Sequence, residues 1–161
     1  RSETTADGKN TFSEFGFRTE NSEGGSGLRF DRLTSTGQFT PEITGSSGGS
    51  VVYGSRSGQF IKIGQVVKIW GRIGITDKST ISGSIRIPLP FTVSSDLNHT
   101  YPASFGNVSN MSLTDGIGGS VGSGNNYIDL YTYNSNGNIS IITSSDISDD
   151  LRIDFTIDIL I

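Results

Sequence analysis

Apolar and polar residues alternate over several short stretches of this chain, a period of two that is typical of β-strands with one buried face. The alternation is most regular from residue 151 to the end, where Leu, Ile and Phe occupy every second position. Residues 83–91 and 127–133 alternate in the same way. No ten-residue window combines helical periodicity with a capping signal, so the sequence predicts an all-β fold, specifically an antiparallel, jelly-roll-like β-sandwich.

The central hairpin is predicted in residues 58–75, GQFIKIGQVVKIWGRIGI. Its turn lies at Gly64-Gln65, where a glycine at the first central position takes the positive φ of a type II′ turn. One face of the second arm is apolar, and the other holds Trp70 between Lys68 and Arg72. An aromatic ring between two cations suits a subunit interface, a row of cross-strand ion pairs or a flat sugar-binding surface, and residue chemistry leaves all three open.

Charges on the final predicted strand offer a partner for this face. Asp154 and Asp158 point away from the apolar face of residues 151–161. If this strand lies beside the second arm of the hairpin, its carboxylates pair with Lys68 and Arg72, and each cross-strand pair contributes about 0.2 to 1 kcal/mol.

Turn residues place two further strands. Pro41 cannot donate to a ladder, so the short strand predicted at residues 39–43 belongs at the edge of a sheet or at its beginning. Asn136-Gly137 is a strong hairpin signal and pairs residues 127–133 with residues 139–143.

Two predicted loops carry the better ligand candidates, because loops at the ends of sandwiches position binding residues. They are the polar stretch 92–102 and the glycine-rich stretch 115–126. The candidate glycan contacts in and beside them are Asp96, Asn98, His99, Tyr101, Asn125, Asn126 and Tyr127. Tyr127 shares one strand face with Tyr131 and Tyr133, and such rings suit a wet interface as well as a sugar.

The first 36 residues are predicted to be an extended, shaft-like β arm that precedes a domain at residues 37–161. Residues 1–10 are polar and are expected to be a flexible lead-in. An aromatic hairpin is predicted beyond them, and a two-stranded ribbon cannot bury its rings alone, so we expect an identical chain to cover them. The predicted interface residues are Phe15, Phe17, Phe30, Lys68, Trp70 and Arg72.

Composition narrows the classes of function. The 161 residues include 22 glycines and only 32% hydrophobic residues, which is typical of short strands with many turns or of subunits that share apolar surface. A net charge of −4 with no run of Lys or Arg argues against nucleic acid as a partner. No apolar run approaches the roughly 20 residues that span a bilayer, so membrane insertion is not expected. The chain begins at Arg1 without methionine, and we expect it to be part of a longer protein.

Residues able to support catalysis or to bind a metal ion are sparse. Cysteine is absent and His99 is the only histidine, so a zinc site lacks ligands and a Ser-His-Asp triad would have to pass through a polar loop. Asp146, Asp149 and Asp150 offer oxygen ligands for calcium, but their spacing is not that of an EF-hand, and an acidic turn is the expected role. No carboxylate pair is marked out for glycoside hydrolysis. We therefore predict no catalytic residue, no metal site, no cofactor and no enzymatic activity.

Four motifs occur in an order that resembles a known family. GQFTPEITG, GQFIKIGQVVKIWGRI, SGSIRIPLPF and a final alternating strand follow one another between residues 37 and 161. This order resembles the β-sandwich domain at the C-terminal end of bacteriophage tail fibres and tailspikes. The matched positions, all interpreted as structural, are Phe39, Lys62, Gly64, Gly71, Arg72, Pro90 and Phe91.

The resemblance implies a homotrimer at the distal end of an extracellular virion tail. In that family the domain helps the fibre to trimerise and often contacts a host glycan, so the implied function is trimerisation with binding of a host surface polysaccharide or lipopolysaccharide. A purely structural module that locks the trimer without a ligand is the alternative, and a fragment of a polysaccharide depolymerase is a third. The family motifs are framework strands, so no site residue is transferred with them.

Overall fold

The computed structural model describes residues 2–4, 10–12, 17–18, 34–96, 98–112, 116–133 and 135–161. The chain divides into two compact units, Arg1–Ser35 and Thr36–Ile161. All the regular secondary structure in the described residues is β, which confirms the predicted all-β class. These residues contain no helix that is long and apolar enough to cross a membrane.

Strands in the described residues are numbered in chain order. They are β1 Ser2–Thr4, β2 Asn10–Phe12, β3 Phe17–Arg18, β4 Thr34–Phe39, β5 Thr44–Gly45, β6 Val52–Ile63, β7 Val66–Asp77, β8 Ile85–Pro88, β9 Thr100–Met111, β10 Gly116–Gly122, β11 Tyr127–Tyr133, β12 Ile139–Ile141 and β13 Ile147–Leu160. The four longest strands, β6, β7, β13 and β9, are consecutive neighbours in one sheet.

In the unit Arg1–Ser35, strands β1, β2 and β3 form a three-stranded antiparallel sheet. The expectation of a flexible lead-in over residues 1–10 does not hold for β1, which is a paired strand. Phe17 is the first residue of β3. Phe15 and Phe30, with most of the predicted aromatic hairpin, lie outside the described residues.

The larger sheet contains ten strands and is antiparallel. Its order is β4-β6-β7-β13-β9-β10-β11-β8-β5, and β12 pairs with β11. The last strand in the sequence, β13, therefore lies in the middle of the sheet, hydrogen-bonded to β7 on one side and to β9 on the other.

This sheet is curled, because its two edge strands are consecutive in the sequence. Strand β4 ends at Phe39 and β5 begins at Thr44, so the five peptide units between them span at most about 18 Å. Laid flat, nine strands spaced by about 4.8 Å would hold these edges about 38 Å apart. The antiparallel prediction is confirmed, whereas a β-sandwich is not shown, since hydrogen bonds join the strands into one curled sheet rather than two stacked ones.

Pro41 lies in the connection between the two edges. The predicted strand over residues 39–43 is wrong, since β4 ends at Phe39 and Pro41 follows it as a buried residue outside any strand. The strands on either side of this proline, β4 and β5, are the two edges of the sheet. Proline has no backbone N–H to donate, and no strand hydrogen bond is lost at residue 41 because the connection lies outside the strands.

The inner face of the curled sheet encloses the hydrophobic core. Ile69 and Ile73 of β7 and Ile153 of β13 are all 0% exposed, which confirms the predicted apolar faces of both strands. Ile87 of β8 and Ile128 of β11, from the other half of the sheet, are buried in the same cluster. Burying each such side chain contributes about 1.5 to 3 kcal/mol.

A glycine-rich strand, β10, occupies residues 116–122 of the loop predicted at residues 115–126, and residues 123–126 are a turn outside any strand. Gly119 pairs with residues of both β9 and β11, so this strand lies inside the sheet. A Cβ atom at Gly119 would lie 2.7 Å from the ring of Phe105. Glycine in isolation indicates a turn, but in this strand it leaves room for the aromatic side chain of a neighbour.

Both predicted hairpins are confirmed. Ile63 pairs with Val66, leaving Gly64 and Gln65 as a two-residue turn. Gly64 has a φ of 61° and Gln65 has a negative φ, as a type II′ turn requires. Strands β11 and β12 pair on either side of Asn136-Gly137.

Candidate functional site

The outer face of strands β6, β7, β13 and β9, opposite the core, carries a row of polar and aromatic side chains. Register places Gln59 beside Trp70, Trp70 beside Thr156, and Thr156 beside Ser104. Directly opposed residues share a face, so the four side chains cross four strands at steps of about 4.8 Å. The row offers a half-buried indole ring with an amide on one side and two hydroxyl groups on the other.

A second row lies beside the first and contains an ion pair. Register places Ser57 beside Arg72, Arg72 beside Asp154, and Asp154 beside Gly106. Arg72 Nε donates to Asp154 Oδ1 at 2.8 Å, and Arg72 Nη2 donates to Asp154 Oδ2 at 3.0 Å. Asn107 Nδ2 also donates to Asp154 Oδ2, at 3.4 Å. The carboxylate is therefore held by a bidentate guanidinium, a geometry that gives strong and directional hydrogen bonds.

The bidentate pair keeps both of its groups charged. Hydrogen bonding from Arg72 is the main reason that the pKa of Asp154 lies below its ordinary value, although partial burial acts in the opposite direction. The same hydrogen bond raises the pKa of Arg72. At neutral pH each of these two charges compensates the other.

Acid is expected to remove the stabilisation that this pair supplies. Because the pKa of Asp154 is lower in the folded chain, the pair stabilises the fold fully above the unfolded pKa of about 3.9, and the effect is lost as pH falls through the lower folded pKa. Asp154→Asn should therefore flatten the fall in melting temperature between about pH 4 and pH 2. Asp158→Asn is the control, since Asp158 is 63% exposed. An acid profile that is identical in wild type and Asp154→Asn would contradict this expectation.

The ion pairs predicted between the hairpin and the final strand are confirmed. In addition to the pair of Arg72 with Asp154, Lys68 Nζ lies 3.7 Å from Asp158 Oδ2. The Lys68 pair is long and exposed, so it contributes little to stability. The face that carries Trp70 was given three possible roles, and the structure shows one of them, a row of cross-strand ion pairs.

Shallow depressions join the two rows into a groove. One, of about 310 Å³, lies between Gln59, Trp70 and Asp154. A second, of about 440 Å³, shares Gln59 and Trp70 and extends to Gln38 on the edge strand β4. A third, of about 300 Å³, shares Asp154 and extends to Ser104 on β9. We call this feature the Trp70 groove, and define it by Gln38, Gln59, Trp70, Asp154 and Ser104.

The predicted loop residues come together at one end of the sheet. Ser123 N donates to His99 O at 3.1 Å, and Val93 N donates to Asn125 O at 2.9 Å, so backbone hydrogen bonds join two segments that are distant in sequence. Five of the predicted contacts lie on these joined segments, with side chains that are exposed or half-buried. We call them the loop cluster: Asp96, Asn98, His99, Asn125 and Asn126.

Tyr101 and Tyr127 lie in strands. The predicted loop position of Tyr101 is wrong, since the residue belongs to β9, packs against the core, and has a buried hydroxyl without a hydrogen-bond partner among the described residues. Tyr127 begins β11, and the Arg86 guanidinium lies 4.3 Å from the centre of its ring. Arg86 Nε also donates to Asp129 Oδ1 at 2.8 Å, so a paired cation lies over this ring.

The aspartates at the start of β13 have separate structural contacts. Asp146 Oδ2 accepts from Thr143 N at 2.7 Å, and Asp149 Oδ1 accepts from Lys78 N at 2.9 Å. Asp150 has a φ of 61° at an irregularity in the pairing with β9. Within the described ranges no group of three or more acidic, His or Cys side chains is placed to hold a metal ion.

An exposed apolar patch lies at the tip of the β6–β7 hairpin. Ile63 is 58% exposed and Val66 is 49% exposed, and the two are directly opposed. Leu160 pairs with Val66 from the other side, and Ile61 lies on the same outer face. We call these four residues the hairpin-tip patch. Clustered apolar side chains of this kind suit contact with another molecule.

Three residues of the groove, Gln38, Gln59 and Ser104, were not identified from the sequence. Gln38 and Gln59 lie within the quoted motifs but at positions that the motifs leave variable, and Ser104 lies outside them. The positions of Gln38 and Ser104 also depend on the order of strands in the sheet. The position of Gln59 beside Trp70 could have been predicted from the sequence. A two-residue turn at Gly64-Gln65 fixes the register of the hairpin and places Gln59 opposite Trp70.

A comparison with solved structures shows a fold similar to that of this chain. No family model and no curated protein sequence matches the chain. Among solved structures, the fold is similar to that in the crystal structure of the Dettilon tailspike protein (gp208), with a TM-score of 0.62 and 19% sequence identity. The match covers 79% of this chain and 23% of the tailspike chain. This chain therefore shares the fold of a part of a phage tailspike.

Proposed function

We propose that this chain is a host-binding module of a phage tail fibre or tailspike and that it attaches the virion to a host surface polysaccharide or lipopolysaccharide. Similarity of fold to a tailspike supports a place in the virion tail, outside the host cell. The observation that carries the proposal is the Trp70 groove, in which a half-buried indole lies between an amide and two hydroxyl groups.

The groove has the chemistry that a sugar ring requires. The indole offers a flat apolar surface to the C–H face of a pyranose, while amide and hydroxyl groups both donate and accept hydrogen bonds with sugar hydroxyls. Gln59 and Thr156 flank Trp70 at one strand spacing on each side, about 4.8 Å away. Weak single sites of this kind gain strength when several are held on one particle.

Loss of the indole is expected to weaken polysaccharide binding. Trp70→Ala should reduce the affinity for a bound bacterial surface polysaccharide by about tenfold or more, since a buried tryptophan anchor is typically worth more than about 1.4 kcal/mol. The measurement is surface plasmon resonance against a panel of purified surface polysaccharides. Tyr133→Ala is the matched control, because Tyr133 is an aromatic residue, 40% exposed, that lies on β11 outside the groove.

The loop cluster is the second candidate for the glycan contact. Its residues lie on two segments that backbone hydrogen bonds join at one end of the sheet, and binding residues are often found on such loops. His99→Ala and Asn125→Ala in the same assay separate the two sites. If these variants lose binding and Trp70→Ala keeps it, the contact belongs to the loop cluster and the assignment to the groove fails.

A purely structural module is the second candidate function, and the hairpin-tip patch favours it. In both candidates we propose a homotrimer, but in the structural one Lys68, Trp70 and Arg72 face an identical chain and no glycan binds. Sedimentation over about a hundredfold range of concentration tests the trimer, which a stable monomer would contradict. Trp70→Ala should destabilise the trimer only in the structural alternative.

We propose no hydrolytic activity. The outward carboxylates of Asp154 and Asp158 are four residues apart on one strand, about 13 Å, and glycosidase pairs lie about 5 to 9.5 Å apart. Asp154 is also held ionised by Arg72, which does not suit a general acid. A depolymerase fragment is therefore the least favoured candidate, and polysaccharide digestion by the isolated chain would contradict this assignment.

A further inference from the structure

We infer that the Trp70 groove takes an uncharged polysaccharide, and that it holds an internal segment of several sugar units laid across the strands. This inference rests on the proposed function and names the ligand class of the same site. Two features of the groove carry it, the pairing of every charge along it and its length.

The charges along the groove are already paired within the chain. Arg72 and Asp154 are the charged residues that line its three depressions, and they bind each other through two hydrogen bonds. A neighbouring depression at the edge of the sheet adds Arg56, whose Nη1 lies 3.0 Å from Glu42 Oε1. An acidic polymer would have to break such a pair to gain a cation.

The net charge of the chain also disfavours an acidic polysaccharide. The chain carries a formal charge of −4, so the average field around it repels a polyanion. Arg152 and Lys68 are exposed on the same outer face, but each has a carboxylate near it: Asp154 lies two residues from Arg152, and Asp158 pairs with Lys68. Neither of these two cations lines the three depressions of the groove.

The length of the groove favours a chain over a single sugar. Its depressions share lining residues, so they form a continuous path from Gln38 on β4 to Ser104 on β9. This path crosses five adjacent strands, a distance of about 19 Å. Amide, indole and hydroxyl groups are spread along it, so consecutive sugar rings meet separate contacts.

The neutral side chains along the path can bind an uncharged ligand without an ion pair. The amides of Gln38 and Gln59 and the hydroxyls of Ser57 and Ser104 can donate and accept hydrogen bonds, as sugar hydroxyls do. The Thr156 hydroxyl donates to Ile69 O at 3.2 Å, so it offers the ligand an acceptor. The neutral groups therefore provide the matching donors and acceptors, and Trp70 provides the apolar surface.

The test compares uncharged with anionic polysaccharides as probes. Dextran, yeast mannan and galactan represent the first class, and alginate, hyaluronate and polysialic acid the second, each measured at about 0.05 M and about 0.5 M NaCl because salt screens exposed charges. We expect wild-type protein to bind members of the uncharged set with affinities that change less than about twofold with salt. The anionic set should not bind.

Charge variants make the test specific to the groove. Asp154→Asn releases Arg72 and should confer salt-sensitive binding to the anionic set, whereas Asp158→Asn releases Lys68 outside the groove lining and should not. Free methyl glycosides should compete poorly with the polymer, since a single ring fills a fraction of the path. Equal competition by a monosaccharide would overturn the extended mode of binding.

Failure of this inference and failure of the proposed function give different results. Binding of wild-type protein to the anionic set, lost at high salt and reduced by Trp70→Ala, would overturn the uncharged ligand class and leave the polysaccharide-binding function standing. Absence of binding to every polysaccharide, in this panel and in the surface-polysaccharide panel, would overturn both. Salt-insensitive binding to an uncharged polymer that Trp70→Ala removes would support both.

Discussion

Replacing Ile153 with alanine is expected to lower the free energy of unfolding by about 2 to 5 kcal/mol. Ile153 is 0% exposed and lies on β13, directly opposite Ile73, which is also 0% exposed. The substitution removes buried apolar atoms from a position that is enclosed by strands on both sides, so the surrounding residues can collapse only partly into the cavity. Denaturation by urea, followed by circular dichroism at one fixed protein concentration, measures the change.

Ile141→Ala is the control for this prediction because it makes the same chemical change at an exposed site. Ile141 lies on β12 and is 48% exposed. Its loss should alter the free energy of unfolding by no more than about 0.5 kcal/mol. If the two variants lose the same stability, the inner face of β13 is not the core of this domain.

Gly71→Ala is expected to cost about 1 to 3 kcal/mol, although alanine normally stabilises a strand relative to glycine. A Cβ atom at residue 71 would lie 2.6 Å from the ring of Phe155, which is itself only 4% exposed. The ring cannot move outward, because it belongs to the packed inner face. Thermal and urea denaturation of the variant measure the loss.

Two further variants isolate the contact between residue 71 and the ring. Gly106→Ala places a methyl group where no atom lies within 4 Å, so it should be neutral or slightly stabilising. In a Phe155→Leu background the smaller side chain leaves space, and Gly71→Ala should then cost about 1 kcal/mol less than in the wild type. If Gly71→Ala costs as much stability in the Phe155→Leu background as in the wild type, the loss does not come from contact with the ring of Phe155.

Local alternation was sufficient to predict the strands that build the core. In β13, apolar residues occupy every second position from 151 to 159, and in β7 they do so from 67 to 75 except at Gly71. This period has one structural solution when one face is buried. The pairing of Arg72 with Asp154 followed from the same pattern, because charges on the outer faces of adjacent strands have few other partners.

The features that sequence did not predict depend on residues distant along the chain. Strand β10 has little side-chain pattern of its own, and its place in the sheet is explained by Phe105 and Tyr131 on its neighbours, which occupy the space beside its glycines. The path from Gln38 to Ser104 exists only because β4, β6, β7, β13 and β9 are neighbours in that order. Strand order is set by the whole fold, and no local motif encodes it.

The central position of β13 also constrains how the sheet is assembled during synthesis. Strands β4, β6 and β7 on one side, and β9, β10, β11 and β8 on the other, leave the ribosome earlier, yet β13 supplies the hydrogen-bonded link between them. Until that segment emerges, the inner edges of both halves are open and able to pair wrongly with other chains. Completion of this sheet therefore waits for its last strand in the sequence, which inserts between two partners that have already been made.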